Sequence, residues 1–171
     1  MKKLLSVIAC CAAWLVSTEA LAELKLGFVD MQRAMQEIGD GKKAYKKLKR
    51  IYNRYQKQIK KKETAIKKFQ QQLKDTGMML TDEAKRQKAG EMQKMVAEFQ
   101  QIYVEKQRDL QTREGKIMAP ILKKLAKVVG VIGQGTDYTM IFEKADSRLL
   151  WAQPALDLTN EVSRRYNATA Q

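Results

Sequence analysis

Residues 42–74 read KKAYKKLKRIYNRYQKQIKKKETAIKKFQQQLK and contain neither glycine nor proline. Most of these residues are good helix formers, so the stretch predicts one uninterrupted helix of roughly 50 Å at about 1.5 Å per residue. Its apolar side chains recur at alternating steps of three and four, which predicts a seam packed along a second helix. The predicted seam positions are Tyr45, Leu48, Tyr52, Tyr55, Ile59, Ile66, Phe69 and Leu73. Lys62 occupies the one position of this pattern where another apolar residue is expected.

The partner of this helix is predicted immediately downstream. The sequence DTG at 75–77 is typical of a helix end, and TDE at 81–83 is typical of a new helix start. The second helix is expected to run from Asp82 toward Val129, because apolar residues again repeat at steps of three and four. The tip of the resulting antiparallel hairpin consists of Met78, Met79 and Leu80.

Strand signals lie at the two ends of the chain. Residues 24–30 alternate and then become continuously apolar, which predicts a first strand ending at Asp30. A short helical turn is expected at Met31–Glu37, and the glycines of 39–41 are expected to break the pattern. Further downstream, 130–135 is predicted to be a glycine-rich exit from the second helix, since it contains three glycines.

The last part of the chain predicts two more strands and a helix. Tyr138–Glu143 and Leu149–Ala152 are rich in β-formers and flank a turn, and Pro154 is expected to open a helix through Tyr166. The predicted fold class is therefore α+β. Residues 23–41 and 119–171 form a β-containing body, and the helical hairpin, 42–118, is inserted between them. The residues predicted for the body core or for contacts between chains are Phe28, Val29, Ile141, Phe142 and Trp151.

Residues 1–22 have the pattern of a cleaved export signal. Lys2 and Lys3 are followed by an apolar stretch, 4–16, that is shorter than the roughly 20 residues needed to span a bilayer. Small residues at 20–22 then provide a cleavage site. Both cysteines of the chain fall at 10 and 11, so the exported protein is expected to contain no thiol or disulfide.

Positive charge is concentrated on one helix. The chain has a formal net charge of +14, and residues 40–74 contain 14 basic residues against two acidic ones, whereas 82–118 contain eight against seven. Like charges three or four residues apart repel, so a merely solvated helix would mix the signs. Solubility is one explanation, and attraction of an acidic partner is the other. The residues predicted to contact such a partner are Lys42, Lys43, Lys46, Lys47, Arg50, Arg54, Lys57, Lys60, Lys61, Lys67, Lys68, Met78, Met79 and Leu80.

Other classes of function have less support. An enzyme is not expected, because the chain has no histidine and its carboxylates are scattered; no catalytic residue, cofactor or metal is predicted. In a nucleic-acid-binding protein the lysines would contact phosphates and the tyrosines would stack on bases. Packing in the seam already explains the tyrosines, and an exported protein would reach a compartment in which nucleic acid is scarce. The main alternative use of the positive charge is binding of lipopolysaccharide or anionic lipid headgroups, and a structural coiled-coil spacer is a further alternative.

The order of these features resembles the Skp/OmpH-like periplasmic chaperones. An export signal, a first strand, a Lys- and Gln-rich hairpin, the apolar strand 138–142 and the closing sequence DLTNEV at 157–162 follow one another as in that family. The resemblance covers the exported chain and implies a homotrimer, in which strands of three protomers close a small β-barrel and the hairpins protrude as tentacles. It further implies ATP-independent holding of unfolded outer-membrane proteins in the periplasm. The lysine-crowded first helix and its tyrosines depart from the family pattern.

Overall fold

The computed structural model describes residues 24–169, and the predicted export signal lies outside these residues. The chain forms, in order, β1 (Leu26–Val29), α1 (Met31–Glu37), α2 (Gly39–Thr76), α3 (Asp82–Gly135), β2 (Met140–Glu143) and α4 (Thr159–Thr169). Two short 3₁₀ turns occupy Gly77–Met79 and Pro154–Leu156. Within the described residues, no helix combines the length and the apolar character that crossing a membrane requires.

The long helices α2 and α3 form an antiparallel hairpin, as predicted. Tyr55 of α2 hydrogen-bonds to Asp109 of α3, and Lys62 of α2 pairs with Glu98 of α3. Residues further along α2 thus pair with residues nearer the start of α3, so the two helices run in opposite directions. The Oγ1 of Thr81 accepts a hydrogen bond of 3.3 Å from the backbone N–H of Ala84, which caps the start of α3 as the sequence indicates.

The predicted seam is correct in the outer half of α2 and wrong at its base. Ala44 and Ile51 are buried there, whereas Tyr45 and Tyr52 are exposed. Both sets fit steps of three and four up to Tyr55, so spacing alone does not separate them. Packing of the first turn of α2 against α1 decides which face turns inward, and the small Ala44 lies on that face.

The predicted break at 39–41 is also wrong. The chain bends one residue earlier, at Ile38, whose backbone is extended with φ −73° and ψ 150°, and the helix begins at Gly39. Gly41 lies within the helix, at a position that has no room for a side chain. An added Cβ would overlap the carbonyl oxygen of Met35. The glycine thus serves the close packing of α1 on α2 rather than a turn.

The core joins the two ends of the chain to the base of α3. Its buried members include Val29, Met35, Leu125, Val162 and Tyr166. Strands β1 and β2 pair in parallel, with Leu26 opposite Met140. The segment before α4 adds to the opposite edge of β1, since the backbone N–H of Leu158 donates to the carbonyl of Phe28 at 2.9 Å, whereas the β2 side donates to the carbonyls of Lys25 and Val29.

Three predictions for the last third of the chain are corrected. Helix α3 continues to Gly135 instead of ending near Val129, because Leu125, Val128 and Ile132 are buried on one of its faces and this burial outweighs the poor helix propensity of glycine. Leu149–Ala152 is not a strand, since it has no strand partner among the described residues. The last helix begins at Thr159; the turn that opens at Pro154 extends only to Leu156.

Asp157 connects the start of α4 to α1. One of its carboxylate oxygens lies 2.9 Å from Nη2 of Arg33, and the other accepts from the backbone N–H of Thr159 at 2.9 Å. Partial burial raises the pKa of Asp157, but the hydrogen bonds from Thr159 and Arg33 outweigh it and hold the pKa below its usual value. The carboxylate therefore stabilises the fold above about pH 4, the ordinary range for Asp, and loses this effect as the pH falls through the lowered pKa.

We expect Asp157→Asn to lower the free energy of unfolding by about 1 kcal/mol at pH 7, because Arg33 is partly exposed and its ion pair is screened by water. The difference between variant and wild type should shrink toward pH 2. Urea unfolding at both pH values measures it. A difference that stays constant with pH would show that the charge of Asp157 contributes nothing.

Candidate functional site

Helix α2 carries a row of eleven cationic side chains, which we call the basic row. All of its members are exposed to solvent. In residues 24–169, only Lys43 and Lys67 have a carboxylate within 4.0 Å, at 3.9 Å from Asp40 and 2.7 Å from Glu63, respectively. The other nine are free to meet an external anion. The basic row consists of Lys42, Lys43, Lys46, Lys47, Arg50, Arg54, Lys57, Lys60, Lys61, Lys67 and Lys68.

The middle of the basic row forms a continuous cationic face. Arg50, Arg54, Lys57 and Lys61 line one shallow depression on α2, together with two uncharged polar residues. Lys57 and Lys61 also line the next depression, with Lys60 and Lys68. The spacing of three and four residues places these side chains on neighbouring turns of one helix surface. A negatively charged chain lying along α2 would therefore meet several cations in succession.

Glu63 is the one carboxylate between Lys42 and Lys74. The hydrogen bond from Lys67, the charge of Lys67 and, to a smaller extent, the charge of Lys60 hold the pKa of Glu63 below its usual value. It stays ionised at neutral pH and neutralises little of the row. The excess positive charge of α2 therefore remains almost uncompensated within its own helix.

Two acidic residues of α3, Asp109 and Glu98, are engaged within the hairpin. The hydroxyl of buried Tyr55 donates to Asp109, which also accepts from Nε of Arg113 at 2.8 Å. The hydrogen bonds from Arg113 and Tyr55 lower the pKa of Asp109. Lys62 lies 3.1 Å from Glu98. Lys62 therefore holds the two helices together, which explains why a lysine occupies a seam position.

The hairpin tip exposes apolar side chains. Met78 is 98% exposed and Met79 is 88% exposed, while Leu80 is half-buried. No atom of another residue beyond the chain neighbours lies within 4 Å of where a Cβ on Gly77 would be, so the turn faces open space in that direction. The sequence identified these residues correctly as tip residues, and the structure leaves the side chains of Met78 and Met79 almost fully exposed.

Tyr45 and Tyr52 are exposed residues that the sequence reasoning assigned to the seam. They lie seven residues apart, so they share one face of α2, and lysines of the basic row flank Tyr45 at 42 and 46. The signal that could have identified them is the competing apolar frame of Ala44 and Ile51. Their exposure adds aromatic surface to the cationic helix.

The residues predicted for the body core or for contacts between chains divide into two groups. Phe28 and Val29 are buried within their own chain, and Ile141 is partly buried against the core. Phe142 is exposed on β2, and Trp151 is 78% exposed. The first group stabilises the single chain, and the second leaves apolar surface uncovered. Leu150, which the sequence reasoning did not select, is 99% exposed beside Trp151.

The described residues contain no cluster of three or more Cys, Asp or Glu side chains placed to hold a metal ion. The grooves along α2 are open depressions on a helix surface. The arrangement offers many weak, solvent-exposed ionic and apolar contacts spread over the length of a helix.

A family model supplies the deciding comparison: the OmpH-like outer membrane protein model matches residues 25–166. The chain belongs to the OmpH-like family. The resemblance inferred from the sequence is therefore confirmed, and the match extends over the strands, the hairpin and most of α4. Comparison with curated protein sequences gives no match.

The fold of this OmpH-like chain is also found among solved structures. It is similar to the crystal structure of an OmpH-like protein of Caulobacter crescentus CB15, described there as a candidate outer membrane chaperone. The TM-score is 0.68 with 19% sequence identity, and the similarity covers 84% of each chain. The likeness establishes the mostly helical architecture with a long hairpin and a small sheet.

Proposed function

We propose that this protein is an ATP-independent holding chaperone of the periplasm, which binds unfolded outer-membrane proteins between its helical hairpins and prevents their aggregation before membrane insertion. Membership of the OmpH-like family supports a chaperone role, and that family of chaperones is not enzymatic. The single observation that carries the proposal is the basic row: nine exposed cations without a carboxylate partner in residues 24–169, all on one helix of a protruding hairpin.

Electrostatics explains how such a row would collect its client. At about 0.1 M salt, exposed charges act over about 10 Å, so the row attracts an acidic segment before contact. Each exposed ion pair contributes only about 0.2–1 kcal/mol, so no single contact traps the client. Many weak contacts hold the unfolded chain and still allow it to leave when a more stable state, the membrane-inserted barrel, becomes accessible. Release then requires no nucleotide.

Apolar contacts would complement the charges. Met78 and Met79 at the tip are long, polarizable side chains that adapt to different sequences, and Tyr45 and Tyr52 present aromatic surface beside lysines. An unfolded outer-membrane protein exposes both apolar and acidic residues. The surface of the hairpin is therefore complementary to an unfolded client over most of its length.

The proposed division of the chain follows from these roles. Residues 23–41 and 119–171 would form the oligomerisation body, and 42–118 the client-binding hairpin. Association of protomers is supported by the two-stranded sheet, which is small for an isolated body, and by the exposed Phe142 and Trp151, while the number of three protomers rests on the resemblance to the family. Strands from neighbouring protomers would extend the sheet into a shared β-barrel and cover this apolar surface.

Export to the periplasm is the remaining part of the proposal. It rests on the charged start, short apolar stretch and small-residue cleavage site of residues 1–22. Clients and chaperone would then share one compartment.

Aggregation of an outer-membrane β-barrel protein, diluted from urea, tests the proposed function. We expect the purified protein to suppress light scattering and to form soluble complexes that contain three protomers, or a multiple of three, for each client. Sedimentation or multi-angle light scattering determines the stoichiometry. Bovine albumin at the same concentration controls for nonspecific crowding.

Continued aggregation in the presence of a stable oligomer would contradict the holding function. The basic row would then favour the alternative, a coiled-coil protein that binds lipopolysaccharide or anionic phospholipid without chaperone activity. Co-flotation with vesicles that contain anionic lipid, compared with neutral vesicles, distinguishes this alternative.

A further inference from the structure

The two methionines at the hairpin tip differ from the other methionines of the described chain. Met78 and Met79 are 98% and 88% exposed, whereas Met35 is 3% exposed and lies in the core. Met140, on the edge strand, is 53% exposed. The remaining methionines, Met31, Met92, Met95 and Met118, are partly buried. An oxidant in solution reaches the two tip sulfurs without any opening of the structure.

We infer that Met78 and Met79 form a reversible oxidation site, at which one peroxide molecule for each thioether produces a sulfoxide and the two sulfoxides weaken the hold on a client. The effect on holding rests on the proposed function; the reactivity of the site does not. Nothing else in residues 24–169 covers these side chains, and the 3₁₀ turn Gly77–Met79 places them side by side at the end of the hairpin.

The chemistry needs only a peroxide and, for its reversal, a dithiol. A sulfur lone pair of the thioether attacks the nearer peroxide oxygen, the S–O bond forms and the O–O bond breaks, and the other oxygen leaves as water. Sulfur is oxidised by two electrons and the peroxide is reduced by two. A methionine sulfoxide reductase reverses the step with two thiols, which become a disulfide while the oxygen departs as water.

Oxidation would change the tip from apolar to polar. A sulfoxide is a strong hydrogen-bond acceptor, so burying it against an apolar client costs free energy that the thioether does not cost. The solvent-exposed turn itself loses no packing when the methionines are oxidised, because neither side chain packs on the protein. Oxidation therefore affects contacts with the client and leaves the fold intact.

The relative reactivity of the methionines can be measured without any client. The intact protein is treated with peroxide and then digested with trypsin, and the oxidised fraction of each peptide is measured. Cleavage after Lys74 and Lys85 releases peptide 75–85, which contains both tip methionines and no other. Peptide 34–42 contains Met35, and peptide 128–144 contains Met140. We expect hydrogen peroxide to oxidise 75–85 more than about tenfold faster than 34–42, because the core sulfur reacts only through local opening. Peptide 128–144 should be intermediate. If 34–42 or 128–144 is oxidised as fast as 75–85, the site is not where we place it.

The effect on function is tested with two double variants. Met78→Leu with Met79→Leu cannot be oxidised at the tip, so its suppression of client aggregation should be the same before and after peroxide, whatever its level without peroxide. Met78→Gln with Met79→Gln imitates the polarity of the sulfoxides and should hold a client at least about threefold more weakly without peroxide, as loss of adaptable apolar contacts predicts. Peroxide should reduce holding by the wild type to a similar degree, and a sulfoxide reductase should restore it.

The regulatory part of the inference is overturned if peroxide impairs the leucine variant as much as the wild type, or if the glutamine variant holds clients normally. Failure of the proposed function gives a different pattern. In that case untreated wild-type protein does not suppress aggregation at all, while the rate order of the three peptides still decides whether the oxidation site exists.

Discussion

Reversing three charges in the middle of the basic row, by Lys57→Glu, Lys60→Glu and Lys61→Glu, should weaken binding of an unfolded outer-membrane protein by about tenfold or more, since each exposed ion pair contributes roughly 0.2–1 kcal/mol and three attractions become repulsions. All three side chains are exposed and have no carboxylate partner among the described residues. Fluorescence titration of a urea-diluted client at low salt measures the change. The difference from wild type should nearly vanish at about 0.5 M salt, where screening shortens the range of the charges.

A matched variant separates the position of the charges from the net charge. Arg86→Glu, Lys94→Glu and Lys116→Glu change the formal charge by the same amount on α3, at exposed positions without a carboxylate within 4.0 Å in residues 24–169. We expect this variant to bind the client at most about threefold more weakly than wild type, because only the overall charge of the protein has changed. Equal losses in both variants would show that the basic row has no special role. Circular dichroism establishes that each variant retains its helices.

Gly41→Ala should lower the free energy of unfolding by more than about 2 kcal/mol, because the added methyl overpacks a site that has no space. Its Cβ would overlap the carbonyl oxygen of Met35 and lie 3.1 Å from Cγ1 of Ile38. A backbone oxygen cannot rotate away as a side chain can, so α1 must shift on α2. Thermal and urea unfolding measure the loss.

Gly90→Ala is the control for this substitution. Gly90 also lies inside a helix, but no atom of another element is within 4 Å of its added Cβ. Alanine is the better helix former, so this variant should be more stable than wild type by about 0.5–1 kcal/mol. Gains at both positions would mean that Gly41 has room for a side chain and that the close packing of α1 on α2 is not limiting.

The candidate site was predictable to the extent that it depends on charge and on local turns. Fourteen basic residues on one helix give an exposed cationic surface in nearly any packing, because lysine is rarely buried without a partner. The tip at 78–80 followed from the capping signals of Thr81 and its neighbours. The use of Lys62 against Glu98 was not predictable, since it requires knowing how α2 and α3 are aligned.

The sequence by itself determined the hairpin, its tip and the concentration of positive charge, because helix propensity, caps and charge are local properties of the chain. Only the tertiary structure decided that Ala44 and Ile51, rather than Tyr45 and Tyr52, face inward, and that α3 remains helical through Gly135. It also decided that Gly41 is a packing residue and that Leu149–Ala152 is not a strand. These features depend on contacts between residues far apart in the chain, where burial outweighs local preferences of a few tenths of a kcal/mol up to about 1 kcal/mol.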